Sequence, residues 1–259
     1  MKLSIITITY NNFEELVETC DSLKNISTEF EHVIINGGDC QKTLNFLAEY
    51  KKEKSVVHLS EPDKGIYDAF NKGILNSTGD YISFLNSGDL LNDSSYHEDA
   101  MKIIDNENFE FIHAGILFED QKYGKYKLHP KKGNNPGRGM LYMHPSMVVK
   151  RIIFDEIGRF DLSFKIAGDF DWACKIWKRN YRNKFINRYP VEMNNRGVSS
   201  QNEKWALIEC RDSLIKNNLY TGITQFYFLK RVLQFKIRSI LGGMDFLRLG
   251  KFYKKISIR

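Results

Sequence analysis

Three stretches of this chain bring carboxylates and small polar residues together in orders that can do chemistry. The first is Phe84-Leu85-Asn86-Ser87-Gly88-Asp89, directly after an apolar run. A carboxylate at Asp89 can hold a divalent cation against a diphosphate, because hard cations take oxygen ligands. Asn86 can add an amide oxygen or hold a water. The same four residues are good turn chemistry at a strand end, and alone they favour the turn. The second is Ile166-Ala167-Gly168-Asp169-Phe170-Asp171-Trp172. Two carboxylates at a helix start either cap it or place one of them as a general base. As a base, Asp169 would take the proton of an attacking hydroxyl, with Asp171 capping or orienting. The third runs from Ser60 to Gly73 through Glu61-Pro62-Asp63-Lys64-Gly65 and Ile66-Tyr67-Asp68-Ala69-Phe70-Asn71. Asp63 could meet a base or ribose and Lys64 a phosphate; a proline turn before a helix explains most of the same residues.

The elements that must position these residues are legible in the first hundred positions. Leu3 to Thr9 is rich in Ile and Thr and predicts a buried strand. Asn12 followed by Glu15 has the spacing of a capping box, and Phe13, Leu16, Val17, Cys20 and Leu23 share one helical face. Glu31 to Ile35 predicts a second strand ending in Asn36-Gly37-Gly38-Asp39. A helix around Leu44, Leu47 and Tyr50 follows, then a strand at Ser55 to Leu59. After the Glu61–Gly65 loop, Ile66 to Leu75 is helical, and Tyr81 to Leu85 is a fourth strand. Strand–helix alternation of this kind argues for a parallel sheet with helices on both faces, and ligands collect at the carboxyl ends of such strands. Thr9-Tyr10, the Asn36 turn, the Asp63 loop and the Asn86 loop all fall there.

The middle is less regular. Phe109 to Phe118 predicts a strand, Lys122 to Arg138 a basic, Gly-rich loop, and Met147 to Val149 another strand. Ala173, Ile176 and Trp177 form the apolar face of a short helix opened by Asp169 and Asp171. From Glu203 onward the pattern is helical.

Composition sets outer bounds. The chain has 259 residues, 42% of them hydrophobic, enough for a full core and against disorder. Four scattered cysteines, Cys20, Cys40, Cys174 and Cys210, have no metal-ligand spacing and favour reduced thiols. No stretch reaches the roughly 18 uncharged apolar residues a membrane span needs. Charge is uneven. Residues 201–259 carry 12 Lys/Arg against 4 Asp/Glu, a net +8, leaving 26 against 28 before them. A near-neutral body with a basic tail points to an anionic surface met by the tail.

Taken together and in order, these segments resemble the inverting family 2 glycosyltransferases, particularly bacterial enzymes that build O-antigen, capsule and exopolysaccharide repeat units. The resemblance rests on Ser4-Ile5-Ile6-Thr7-Ile8-Thr9-Tyr10-Asn11, on Glu61 through Gly73, and on Thr78-Gly79-Asp80-Tyr81-Ile82-Ser83-Phe84-Leu85-Asn86-Ser87-Gly88-Asp89. It continues more weakly through His144-Pro145-Ser146 and Phe160-Asp161 to Gly168-Asp169. It implies a GT-A (Rossmann-like) α/β fold, a mostly parallel central sheet flanked by helices, over residues 1–200. Residues 1–100 would form the nucleotide-binding half and 101–200 the acceptor half, with 201–259 a helical, basic extension. It also implies Mn2+ or Mg2+ and single-displacement transfer with inversion. By position, Thr9 and Tyr10 would border the nucleobase, and Asp63 would sit in the nucleotide pocket with Asn36, Lys64, Asn71 and Asn86. Asp89 would bind metal and diphosphate, and Asp169 would be the base. Arg196, in a Gly-Val-Ser-Ser loop, is suited to a diphosphate oxygen, although a surface arginine is the commoner case. His144 could face a phosphate or be structural.

The sequence also departs from the family pattern. Asn36 stands where an acidic residue is usual, Asn86 and Gly88 where Asp is frequent, and Gly168 where Glu often precedes the base. A single carboxylate can still hold a metal whose other ligands are phosphates and waters.

Tyr227 to Arg259 mixes aromatic and aliphatic residues with Lys and Arg. Phe228, Leu229, Val232, Leu233, Phe235 and Ile240 beside Lys230, Arg231, Lys236 and Arg238 suit a helix lying in an anionic membrane interface. A helix packed on the domain with a solvated basic face is the alternative. No nucleic-acid motif accompanies the charge, so nucleic acid is not an expected partner. The expectation is a cytoplasmic enzyme, peripheral at the inner face of the plasma membrane. It would move a sugar from a nucleotide-diphosphate donor, a UDP-sugar, to a lipid-linked oligosaccharide. A non-catalytic nucleotide-sugar-binding scaffold is the rival, supported by the thinned metal motif. A dinucleotide-dependent dehydrogenase is disfavoured by the missing Gly-x-Gly-x-x-Gly, and a sugar nucleotidyltransferase by the absent early phosphate loop.

Overall fold

The computed structural model describes residues 2–53, 55–120, 124–131, 135–194 and 202–241. Its centre is a seven-stranded sheet. β1 (Leu3–Thr9) pairs in parallel with β2 (Phe30–Asn36) on one side and β4 (Tyr81–Phe84) on the other, and β3 (Val56–Ser60) extends the sheet beyond β2. Beyond β4 the order continues through β9 (Val148–Lys150) to β6 (Phe111–Ala114) and β10 (Asn183–Ile186). β9 runs antiparallel to both neighbours, so the sheet is mostly but not wholly parallel. A smaller sheet stacks the strands β5 (Leu90–Leu91), β11 (Val191–Asn194), β7 (Ile116–Asp120) and β8 (Gly124–Leu128).

Side-chain alternation along the strands divides the core. On one face Ile6, Val33 and Ile35 pack with α3 (Ile66–Asn76), α5 (Ile152–Ile157) and α6 (Gly168–Arg179). On the other, Leu3 and Ile5 pack with α4 (Tyr96–Glu107), and Ile34 packs with Leu16 and Cys20 of α1 (Phe13–Ser22) and with α2 (Gln41–Glu53). Nearly continuous burial of β1 and β2 follows from helices covering both faces.

The structure corrects the sequence reading in several places. Asn12 occupies the N-cap position of α1 but makes no side-chain cap; its amide bonds the Glu15 carboxylate instead. Phe109 to Phe118 is not one strand: Gly115 separates β6 in the large sheet from β7 in the small one. Within Lys122 to Arg138, β8 pairs with β7, and Pro136–Arg138 forms a single 3-10 turn. Helix α4 and the short strands β5, β10 and β11 went unpredicted, because their apolar residues are few and their partners lie far along the chain.

The helices after residue 200 do not stand apart. Leu214 and Cys210 of α7 (Glu203–Lys216) and Phe228 of α8 (Gly222–Leu241) share a buried cluster with Ala167, Phe170 and Cys174. Phe228 therefore faces inward with Val232 against it, while Leu229 and Leu233 face out. All four cysteines are free, and among the described residues no helix is long and apolar enough to cross a membrane.

Candidate active site

A cleft of about 670 Å³ opens at the carboxyl ends of β1 and β4, a volume suited to a small-molecule ligand. Thr9 and Tyr10 end β1 and form one wall. Tyr10 is 69% exposed, so a planar ring is offered to any base entering the cleft. The Thr9 hydroxyl is buried without a hydrogen-bond partner among the described residues. Asp63 lines the cleft from the loop after β3; its Oδ1 accepts the Gly65 amide at 2.9 Å, which fixes the loop before α3.

The floor is the Asn86–Asp89 turn. Asp89 N–H donates to the Asn86 carbonyl at 2.9 Å, and Asn86 N–H donates back to Asp89 Oδ2 at 3.2 Å. Gly88 takes φ +96, which a side chain would strain, and this explains glycine where Asp is frequent in the family resembled. Burial pushes the Asp89 carboxyl up to about 7 against its own backbone hydrogen bond, and the Glu15 charge adds to the rise. The Asn86 amide oxygen is buried and has no hydrogen-bond partner among the described residues. A desolvated carboxylate, a second carboxylate near it and an orphaned amide oxygen form a donor set that a hard divalent cation fits. Among the described residues no group of three or more His, Cys, Asp or Glu forms a metal cage. A cation here would take further ligands from a diphosphate and water.

Asp169 also lines the cleft, from the first turn of α6. Its Oδ1 accepts the Phe170 amide at 2.8 Å and lies 3.2 Å from the Tyr67 hydroxyl. Burial raises its pKa to about 6, opposed by those two hydrogen bonds. A carboxylate poised there is ionised near neutrality yet basic enough to accept a proton from a hydroxyl in the transition state. Asp171, by contrast, points away from the cleft and is fully buried. It accepts from Ser213 of α7 and from Asn217, the residue that caps that helix, and pairs with Lys175 at 2.9 Å. It ties α6 to α7 and makes no side-chain cap.

Several expected binders stand off the cleft wall. The Asn71 amide is spent on both backbone groups of Phe160, donating at 2.8 Å and accepting at 2.9 Å. Asn36 is fully buried and closes its own turn through Gly38. Lys64 is exposed; its backbone N–H caps toward Asp68. Arg196 lies outside the described residues. His144 lines the cleft but is built as a core residue: it stacks on Phe84 with ring centroids 4.6 Å apart, and burial lowers its pKa to about 4. Sequence reasoning assigned no role to Tyr67 or to Glu15 beyond a cap. Tyr67 sits inside the most specific motif, and that placement was the available signal.

The chain belongs to the glycosyl transferase family 2, whose model matches residues 4–170. A PGL/p-HBAD biosynthesis glycosyltransferase of Mycobacterium tuberculosis is 26% identical over 190 residues, covering 67% of this chain and 69% of that protein. An uncharacterized glycosyltransferase of Rickettsia bellii is 32% identical over 126 residues, 48% of this chain. The matched region is 18% of that protein's length. Among solved structures, S. aureus TarS 1-349 superposes with a TM-score of 0.67 at 17% identity, covering 95% of this chain and 75% of that one. Its complex with UDP-GlcNAc superposes at 0.68, covering 88% and 70%. The chain therefore has the GT-A fold, with the mostly parallel sheet described above.

Proposed function

We propose that this chain transfers a sugar from a UDP-sugar to a hydroxyl of a lipid-linked oligosaccharide, with inversion, in surface polysaccharide synthesis. The observation that carries the reading is that Asp89 and Asp169, from the turn after β4 and the first turn of α6, line one cleft. Asp89 sits on the side where β1 and β4 end, beside Thr9 and Tyr10, where a nucleotide would lie in a sheet of this topology. Asp89 and Asn86 would hold Mn2+ or Mg2+; such an ion neutralises charge on a leaving diphosphate. Asp169 would remove the acceptor proton as its oxygen attacks the anomeric carbon from the opposite side. Tyr67 holds that carboxylate in place. UDP as the leaving group is consistent with the UDP-GlcNAc and UDP complexes of the structurally similar TarS.

The lipid-linked acceptor is supported by α8. Ile223, Phe226, Leu229, Leu233 and Ile237 are exposed along it, interspersed with Lys230 and Lys236. An apolar stripe flanked by lysine suits the headgroup region of an anionic bilayer, which would hold the enzyme peripherally at the inner face of the plasma membrane.

Calorimetric titration of UDP and of GDP, each with and without Mn2+, tests the donor side. UDP binding that strengthens with Mn2+ in the wild type and is lost in Asp89→Ala is the expected result. Affinity unmoved by either change would overturn the assignment of Asp89. Absence of any nucleotide binding would favour a scaffold. Asp169→Asn should keep UDP affinity while turnover falls by orders of magnitude, on the order of 10²–10⁴.

A further inference from the structure

The family model ends at residue 170, yet a carboxylate from α7, about forty positions later, reaches back to the segment that carries Asp169. Glu209 accepts three consecutive backbone N–H groups. The Lys165 amide lies 3.0 and 3.1 Å from its two oxygens, and the Ile166 and Ala167 amides each lie 2.8 Å from Oε2. Successive amides converging on one anion form a concave nest, and each bond is charge-assisted. Ala167 is the N-cap position of α6, so the same carboxylate faces the positive end of that helix. The three amides lie directly before Gly168 and Asp169, and the Ala167 N–H, at the N-cap, is one that the helix itself cannot satisfy.

We infer that Glu209 is a positioning residue for the transferase reaction, fixing the 165–168 backbone so that the Asp169 carboxylate and the Ile166 carbonyl both meet the Tyr67 hydroxyl. The inference rests on the reading of Asp169 as the base. Two neighbouring contacts hold α7 to the same segment. Asp171 binds Ser213 of α7 and Asn217 at its C-cap, and Lys216 pairs with Asp161. Glu209 is the member of this set that touches the turn leading directly into Asp169. Its charge also contributes to the raised pKa of Asp169, so it acts on the base through the backbone and through the field.

The consequence is that α7 belongs to the catalytic machinery. A neutral amide at 209 is a poorer substitute: an oxygen at the Oε2 position could still face the three amides, but without charge assistance, and the NH2 group in place of Oε1 would oppose the Lys165 N–H.

The test uses the full chain and three readouts on Glu209→Gln and Glu209→Asp, with Asp169→Asn beside them. Amide hydrogen exchange at 165, 166 and 167 should accelerate at least tenfold in Glu209→Gln, while amides of the β1–β2 pair stay protected. The Asp169 carboxyl, followed by carbon NMR, should titrate at lower pH in Glu209→Gln than in the wild type. UDP release from a panel of UDP-hexoses should fall about tenfold or more in turnover number with UDP affinity within twofold. Glu209→Asp keeps the charge on a shorter arm and should recover part of each effect. Unchanged exchange and an unchanged Asp169 titration in Glu209→Gln would overturn the inference whatever the substrate. Normal UDP release from Asp169→Asn would instead overturn the base assignment, leaving the exchange result to stand for Glu209 as a backbone clamp alone. If Glu209→Gln fails to fold, Glu209→Asp carries the same exchange and titration comparison.

Discussion

The Tyr67 hydroxyl lies 2.7 Å from the Ile166 carbonyl and 3.2 Å from Asp169 Oδ1, so one phenolic proton is shared between two acceptors. Burial, reinforced by the Asp169 charge, pushes the Tyr67 pKa well above its ordinary value, and the group remains a donor at any working pH. The ring is 4% exposed and packs against Phe70 and Phe160, which leaves it little freedom to leave Asp169. Two sequence motifs more than ninety residues apart thus meet in one hydrogen bond.

Tyr67→Phe removes that proton and leaves the ring packing. A hydrogen bond to a charged group is worth roughly 1.5–3 kcal/mol, so turnover should fall about 10- to 100-fold. UDP affinity should stay unchanged, because Tyr67 acts on the base. Steady-state kinetics beside calorimetry would separate the two; an equal loss of nucleotide affinity would move Tyr67 into the donor site.

Much of this was legible before any coordinates. Leu3–Thr9 and Ile66–Asn76 appear where the residues placed them, since long apolar periods with local punctuation report their own structure. Asp63, Asp89 and Asp169 face one cleft as the motif order suggested. The partner of Asn71 is not legible in its motif, because that position says nothing of Phe160, eighty-nine residues on, whose backbone bonds the amide. Glu209 was invisible for the same physical reason: a glutamate on a helix face carries no mark of the three amides it will meet. The basic tail read as one amphipathic stripe, yet Phe228 turned inward, because the cluster around Cys174 offered it more burial than solvent.

Asp169 carries a pH signature. Its folded pKa of about 6 lies above the ordinary carboxylate value, so the native state binds a proton more tightly than the unfolded chain. As a base it must be ionised, and kcat/KM should rise with pH through about 6. The stability effect has the opposite sign. Stability contributed by this site is fullest below the unfolded pKa and is lost as pH rises through about 6. Asp169→Asn removes the buried charge, and its stability relative to wild type should improve between pH 4 and pH 7 by up to about 2 kcal/mol. Parallel urea titrations at those pH values check the sign; a relative stability that falls with rising pH would contradict the raised pKa.

His97 should behave in the reverse direction. It is 2% exposed, bonds Ser83 at 3.1 Å, and burial lowers its pKa to about 4. The unfolded chain gains a proton at this site near pH 6.5 while the native state resists until about 4. Stability from neutral His97 is therefore present above 6.5 and lost as pH falls toward 4. Replacing it by Gln keeps a polar group opposite Ser83 and removes the titration. The difference in unfolding free energy between wild type and His97→Gln should shift against wild type by about 1–3 kcal/mol from pH 7 to pH 4.5. A pH-independent difference would mean that His97 is already protonated or reaches solvent.

Gly168 tests the packing of the whole assembly. A Cβ at this position would lie 2.7–2.8 Å from three atoms of the Tyr67 ring, closer than carbon atoms approach without one of them moving. The ring cannot retreat easily, because Phe70 and Phe160 back it. This is the physical reason for glycine where the family resembled often has glutamate. Gly168→Ala should cost about 1–3 kcal/mol of stability, and displacement of the Tyr67 hydroxyl should cut turnover about as far as Tyr67→Phe does. Gly168→Glu should be worse and should not restore a more family-like activity. The clash is pairwise, so a double-mutant cycle isolates it: in a Tyr67→Ala background the stability cost of Gly168→Ala should shrink by more than about 1 kcal/mol. Additive costs in that cycle would show that the glycine is required by something other than the Tyr67 ring.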